Sequence, residues 1–301
     1  MPEPLANVSL ARFTTLGVGG PARYLAQARD GRAVEQWVGW AHERGLPWLV
    51  LGSGSNVVVA DSGYDGLVIR ARSVRQPHLW SSHYDASEGT IRVTVDSTLG
   101  LAALAQIASE SGFSGLEWAV GIPGTLGGAL AGNAGAFGES MADVVESATM
   151  LEAGVRRQVA TDALDLSYRR CGYLAHGDKV ALSLDVRLAE DDADACLGRA
   201  ADFGERRRAS QPGGRSAGSV FRNPPDAHAG ELIDQCGLMG ARVGGAVISR
   251  KHANFIINRG GASASDVLSL IRLARRAVQD RFGVSLEPEV RLVGDIRWEE
   301  S

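Results

Sequence analysis

Between residues 33 and 44, apolar side chains fall at Val34, Trp37, Val38 and Ala41, the three-and-four spacing that lines one face of a helix. Gly45 follows, a residue suited to the left-handed step that ends helices. Short apolar runs around that helix read as strands: 22–26 before it, then 48–51, 57–59 and 66–69. Residues 71–90 are polar and irregular. Ile91, Val93 and Val95 alternate with polar neighbours, as in a half-buried strand. The pattern predicts a helix over 98–109, capped by Ser97 or Thr98, and strands over 144–151 and 180–186. A charged helix over 193–209 ends in Arg206, Arg207 and Arg208, where cations suit the helix dipole. Gln211-Pro212-Gly213-Gly214 is a breaker with the composition of a hinge. Beyond it lie a loop at 216–224, a short helix from about 229, strands near 241–248 and 254–257, a long helix over 265–281 and a last strand around 290–292. Short strands with few helices point to an α+β fold rather than a regular doubly wound sheet.

Composition narrows the class. A chain of 301 residues suits two or three subdomains. A net charge of −4 offers no basic surface for nucleic acid. Three scattered cysteines, Cys171, Cys196 and Cys236, with no CxxC, point neither to a disulfide framework nor to a zinc site, and no metal is expected. The start of the chain lacks the layout of a signal peptide, and no apolar run reaches the roughly 20 residues that span a bilayer. The expectation is a reduced, cytoplasmic enzyme with no membrane insertion and no obligate protein partner.

Glycine changes the picture most. Seven glycines fall between Gly121 and Gly138, far too dense for a packed helix or strand. Such a stretch suits backbone lying against a ligand. A second Gly/Ser loop, Gly52-Ser53-Gly54-Ser55-Asn56, follows the 48–51 run as a phosphate loop should, because successive N–H groups in such a turn form an anion-binding hollow. No helix follows it and Val57 stands where a third glycine belongs, so it is not a dinucleotide fingerprint; nor is it a Walker loop. Two such loops predict one large, phosphate-bearing cofactor.

The motifs in order are Phe13-Thr14-Thr15-Leu16-Gly17-Val18-Gly19-Gly20-Pro21-Ala22, the 52–56 loop, Gly121-Ile122-Pro123-Gly124-Thr125 with Gly127-Gly128-Ala129 and Asn133-Ala134-Gly135, then Tyr168-Arg169. After these come Gly218-Ser219-Val220-Phe221-Arg222-Asn223-Pro224, His252-Ala253-Asn254-Phe255 and Glu287-Pro288-Glu289-Val290-Arg291. From about residue 11 to 294 this series resembles the UDP-N-acetylenolpyruvoylglucosamine reductases, the MurB family. The resemblance implies an FAD-binding domain of the vanillyl-alcohol-oxidase (PCMH) type in two α/β subdomains, 1–70 and 71–200, followed by a C-terminal α+β substrate lobe, 201–301. It is similar to the shorter class of the family, which lacks a substrate-covering loop and its tyrosine. It implies FAD, NADPH and a nucleotide-sugar precursor of peptidoglycan.

Carried over residue by residue, the resemblance implies that Gly52, Ser53, Gly54, Ser55, Asn56, Gly121, Ile122, Pro123, Gly124, Thr125, Gly128, Asn133 and Gly135 hold FAD. The implied reaction puts a hydride on the terminal carbon of an enolpyruvyl ether and a proton on its neighbour. Arg169 is the implied partner of the charge that develops on the substrate carboxylate, a task suited to a permanently charged fork. By residue type alone it reads as a surface arginine. Ser219 is the implied proton donor, although a Gly-Ser loop is otherwise an ordinary turn. Glu289 could pair with Arg169, hold the acid in register or share the proton chain; alone it reads as a solvated strand-end carboxylate. Arg215, Asn223 and His252 are implied substrate contacts, with Lys251 a further diphosphate candidate. Departures from the family are Ser210 for a lysine, Cys171 for a serine, Phe137 for a tyrosine and Arg222 for a lysine. Alternatives are another FAD oxidoreductase of the same fold, or a non-catalytic nucleotide-sugar-binding relative.

Overall fold

Long stretches of alternating apolar and polar residues pair into a six-stranded antiparallel sheet. In the computed structural model, which describes residues 2–73, 80–85, 88–175 and 178–296, its order is Val155–Ala160, Val145–Glu152, Lys179–Glu190, Thr90–Asp96 and Trp80–Asp85. Phe113–Ser114 pairs with the far end of Lys179–Glu190. Because successive side chains point to opposite faces, Val93, Val95, Ala148, Met150, Leu184, Val186 and Leu188 reach one core. Helices Leu101–Glu110 and Leu126–Ala131 close that core with Leu104, Ala105, Leu126 and Leu130, and Trp118 is fully buried among them.

This sheet belongs to one of two compact units, formed by Ala26–Ser53 and Ile69–Arg207. The same unit holds helix Gly31–His42, whose first N–H groups are capped by Asp30 accepting from Ala33 N at 2.7 Å. It buries the Val34, Trp37, Val38 and Ala41 stripe.

The other unit is Met1–Leu25, Gly54–Val68 and Arg208–Ser301. Its second core gathers around helix Ala264–Phe282, which buries Val267, Leu268, Leu270, Ile271, Ala274 and Val278 at helical spacing. Ser263 and Asp266 form a reciprocal capping box at the start of that helix, and Gly283, at φ +69°, ends it. A three-stranded antiparallel meander, Arg242–Val243, Ala246–Ile248 and Ile256–Asn258, joins this core. Val57–Val59 pairs in parallel with Arg291–Val293, and helix Ala229–Gln235 completes the unit.

The chain passes between units after Leu25, Ser53, Val68 and Arg207, so the two units interleave along the sequence rather than following one another. Two local expectations change. The helix expected from residue 98 starts at Leu101 with Gly100 as its cap, and the cap has no side-chain hydrogen bond. The Thr98 hydroxyl donates instead to Asp96 at 2.6 Å, and the backbone of 97–101 is committed to the glycine-rich loop. The expected irregular stretch 71–90 contains strand Trp80–Asp85; residues 74–79 and 86–87 lie outside those described. That strand sits at the end of the sheet order, and its polar sequence carries no apolar alternation to reveal it.

Candidate active site

The two glycine-rich loops are built of bare backbone. In the sheet-bearing unit, Gly52 lies so close to Thr125 that a Cβ would strike its hydroxyl. Loop 121–128 runs beside 97–101, with Leu101 N donating to Gly124 O (3.0 Å), Leu126 N to Leu99 O (2.8 Å) and Gly127 N to Ser97 O (2.8 Å). Thr125 is buried, while Gly121, Pro123 and Gly128 are exposed. Gly121 and Gly124 hold φ of +78° and +154°, which a side chain would strain. Gly54, Ser55 and Asn56 fall in the other unit. Gly54, at φ +66°, leaves no room for a Cβ against the Phe13 carbonyl, and Thr15 N donates to Gly54 O at 3.0 Å. Both loops are therefore glycine backbone braced by neighbouring chain, with conformations that side chains would strain, and that suits a cradle for FAD.

Asn133 and Gly135 serve differently from the other expected cofactor residues. The Asn133 side chain is buried, donates to Ser167 O and accepts from Ala142 N, each at 3.0 Å. It thereby ties the glycine-rich segment to the hairpin Leu166–Ser167/Arg170–Cys171, whose two-residue turn carries Arg169. Gly135 packs against the Glu139 carbonyl in a tight strand pair. Arg169 takes φ +57°, an uncommon conformation for a residue with a side chain, and its guanidinium lies 5.4 Å from the Tyr168 ring centre. A second guanidinium, Arg207, stands near it. Burial, then the Arg169 charge, lowers the Arg207 pKa from its ordinary value. Its Cδ is 3.6 Å from where a Gly121 Cβ would be. Phe137, at φ +59°, stacks on Phe203 at 4.9 Å with Arg206 4.6 Å above it. The two guanidinium charges thus act on each other, with Arg207 beside Gly121.

In the other unit, Ser219 opens a short extended segment held on both sides. An isolated bridge pairs Ser219 with Phe255, and another pairs Phe221 with Pro288. Glu289 N donates to Val220 O at 2.8 Å and Arg222 N to Glu287 O at 2.9 Å. Ser219 and Glu289 thus ride on neighbouring, hydrogen-bonded segments. Asn56, from the phosphate loop, donates through Nδ2 to Glu289 O at 3.1 Å and accepts from Arg291 N at 3.0 Å. The Thr15 hydroxyl donates to Ser216 O at 2.6 Å.

The remaining candidates have firm local partners. Arg215 is exposed, its chain lies against Gly17 (Cδ 3.2 Å from the position of a Cβ), and its carbonyl accepts from Asn258 N at 2.9 Å. Asn223 accepts from Ala229 N at 3.0 Å, at the start of helix Ala229–Gln235. His252 is half-buried beside Gly230 and tilted 5.0 Å from Phe255; burial lowers its pKa from the ordinary value. Lys251 Nζ donates to Arg208 O at 2.6 Å. The side-chain ties of Thr15 and Asn56, and those of Asn254 to the Phe221 N–H and carbonyl, are not legible in the sequence. A signal was present for Asn254: asparagine is poorly suited to strands, so one at the head of the apolar run Phe255-Ile256-Ile257 asks for a buried partner.

The α+β topology and the glycine-rich loops 52–56 and 121–128 suit a flavin-dependent oxidoreductase. Residues 22–155 match the family model of an FAD binding domain, and residues 210–293 match that of the UDP-N-acetylenolpyruvoylglucosamine reductase C-terminal domain. The reductase of that name from Desulfosudis oleivorans is 43% identical over 294 residues, covering 95% of this chain and 93% of that protein. Its counterpart from Anaeromyxobacter dehalogenans is 44% identical over 97% of this chain and 86% of that protein. The crystal structure of the Thermus caldophilus enzyme superposes with a TM-score of 0.79 at 35% identity, covering 97% of this chain and all of that one. The chain belongs to the UDP-N-acetylenolpyruvoylglucosamine reductase family.

Proposed function

We propose that the chain reduces UDP-N-acetylglucosamine enolpyruvate to UDP-N-acetylmuramate at the expense of NADPH, a step in peptidoglycan precursor synthesis. The observation that carries this reading is near-full-length similarity to reductases of that name, with both glycine cradles present. FAD, when bound, supplies the hydride transfer from NADPH to the terminal carbon of the enolpyruvyl group. Loops 52–56 and 121–128 would hold it.

The chain's own side chains have two tasks. As a hydride joins the terminal carbon, the double-bond pair moves toward the carboxylate, and Arg169 neutralises that charge through its fork. The Ser219 hydroxyl gives its hydrogen to the carbon bearing the ether oxygen, and the serine oxygen recovers a proton from water. The balance is one NADPH and one proton consumed per product. A serine is a weak acid, so its placement must be close and fixed. Glu289, on the adjoining segment, holds the hydroxyl in register or shares the proton chain. Arg215, Asn223 and His252 are assigned to the nucleotide sugar, with residues 201–301 as the substrate lobe. We place the reaction in the cytoplasm, where NADPH and UDP-sugars are available. Among the described residues no helix is long and apolar enough to cross a membrane.

The test is a two-step titration. NADPH should bleach the flavin absorbance of the purified holoenzyme, and the enolpyruvyl nucleotide sugar should restore it with formation of the lactyl ether. A bleached enzyme that the sugar leaves unchanged ends this reading.

A further inference from the structure

Ser219 sits on a segment whose backbone is clamped by a side chain. Asn254 is 3% exposed and makes three hydrogen bonds to the two residues after Ser219. Its main-chain carbonyl accepts from Val220 N at 2.8 Å. Its Oδ1 accepts from Phe221 N at 2.9 Å, and its Nδ2 donates to Phe221 O at 2.8 Å. The carboxamide therefore does for Phe221 what a neighbouring strand's peptide would do. A side chain is needed because the chain is turning there: Phe255 N donates back to His252 O at 3.1 Å, and Ser249 caps the turn by accepting from Lys251 N at 3.0 Å and His252 N at 3.3 Å. The opposite edge of the same segment is held by Glu289 N on Val220 O. Phe221 itself is 1% exposed, so its peptide groups need these partners rather than water.

We infer that Asn254 is a positioning residue for proton delivery: its carboxamide fixes the peptide register of Val220 and Phe221 and so aims the Ser219 hydroxyl. This rests on the reductase reading above. The chemistry suits it. A weak acid transfers its proton well only from near-ideal geometry, and a displacement of about 1 Å costs on the order of a hundredfold in rate. At neutral pH an amide satisfies both Phe221 groups, because one end accepts and the other donates, whereas an ionised carboxylate only accepts. Asparagine does this without a charge that would repel the substrate carboxylate.

The test separates positioning from folding. With wild-type enzyme, restoration of flavin absorbance by the sugar establishes the reading itself. In Asn254→Ala, bleaching by NADPH should stay within about twofold, while restoration by the sugar slows about 10–100-fold with a larger solvent deuterium isotope effect. Amide hydrogen exchange at Val220 and Phe221 should quicken, a readout independent of turnover. Asn254→Asp should also be slow near neutral pH, where its carboxylate faces the Phe221 carbonyl. It should recover as pH falls and the protonated carboxyl donates in place of Nδ2. Should Asn254→Ala not take up FAD, Asn254→Asp decides by that pH profile. Equal slowing of both half-reactions, an unchanged isotope effect, or an Asn254→Asp profile parallel to wild type would each overturn the inference while leaving the reductase reading intact.

Discussion

The glycine-rich loop 121–128 of one unit and the Ser219 segment of the other solve opposite problems. Around loop 121–128 the chain removes side chains: Gly121 and Gly124 adopt positive φ, and Gly52 has no space for a Cβ beside Thr125. Around Ser219 the chain adds them: Asn254 and Asn56 spend carboxamide groups on backbone that no full strand covers. In the proposed reading a large cofactor is gripped by many weak contacts to backbone N–H groups. In the proposed reaction a single proton comes from one hydroxyl, whose aim depends on every bond behind it. The comparison teaches that cofactor loading and proton delivery should fail separately.

The largest effect that would sharpen the contrast is at Ser219. Ser219→Ala should slow sugar-dependent recovery of flavin absorbance about 10²–10⁴-fold while NADPH still bleaches the flavin at its usual rate. Stopped-flow measurement of the two half-reactions checks it, and equal loss in both would remove the serine from proton delivery. Next is Gly124→Val, which forces a branched side chain into φ +154°. FAD affinity should weaken about 10–100-fold, read by flavin fluorescence titration, with little change in secondary structure. Normal loading would break the assignment of that loop.

A smaller effect is expected at Asn133, which belongs to the glycine region yet works as the asparagines of the other unit do. Asn133→Ala leaves Ser167 O and Ala142 N without their partner, a loss of about 1–3 kcal/mol. The melting temperature should fall by a few degrees, and turnover should fall more than FAD affinity because the Arg169 turn loosens. An affinity loss larger than the turnover loss would make Asn133 a direct cofactor ligand instead.

The smallest is a pH effect at His252. Burial lowers its pKa below the ordinary 6.5, so the fold favours the neutral ring. Its contribution to stability is present above the unfolded value and is lost as pH falls through the folded one. Melting curves from pH of about 7.5 to about 5.5 should fall less steeply in His252→Gln than in wild type. Parallel curves would show that the ring is not the titrating group.

Much of the architecture was legible because burial imposes period. The Val34–Ala41 stripe, the alternation of Ile91, Val93 and Val95, and the long helix ending at Gly283 all follow from which faces must leave water. Strand Trp80–Asp85 escaped notice because an edge strand held by backbone pairing needs no apolar signature. The start of the helix at Leu101 escaped because residues 97–101 bond to a loop some 25 positions away, and no local preference reports that.

The sequence by itself determined the chemistry available: where backbone is bare, where a guanidinium, a hydroxyl and a carboxylate occur, and which helix faces are apolar. These follow from residue type and spacing, which are local. Only the tertiary structure decided which groups work together. It set Glu289 beside the Ser219 segment, turned Asn254 inward to clamp Phe221, and committed Asn133 to the Arg169 hairpin. Those pairings join residues far apart in the chain, and the obligation of each buried peptide group to find a partner selects them.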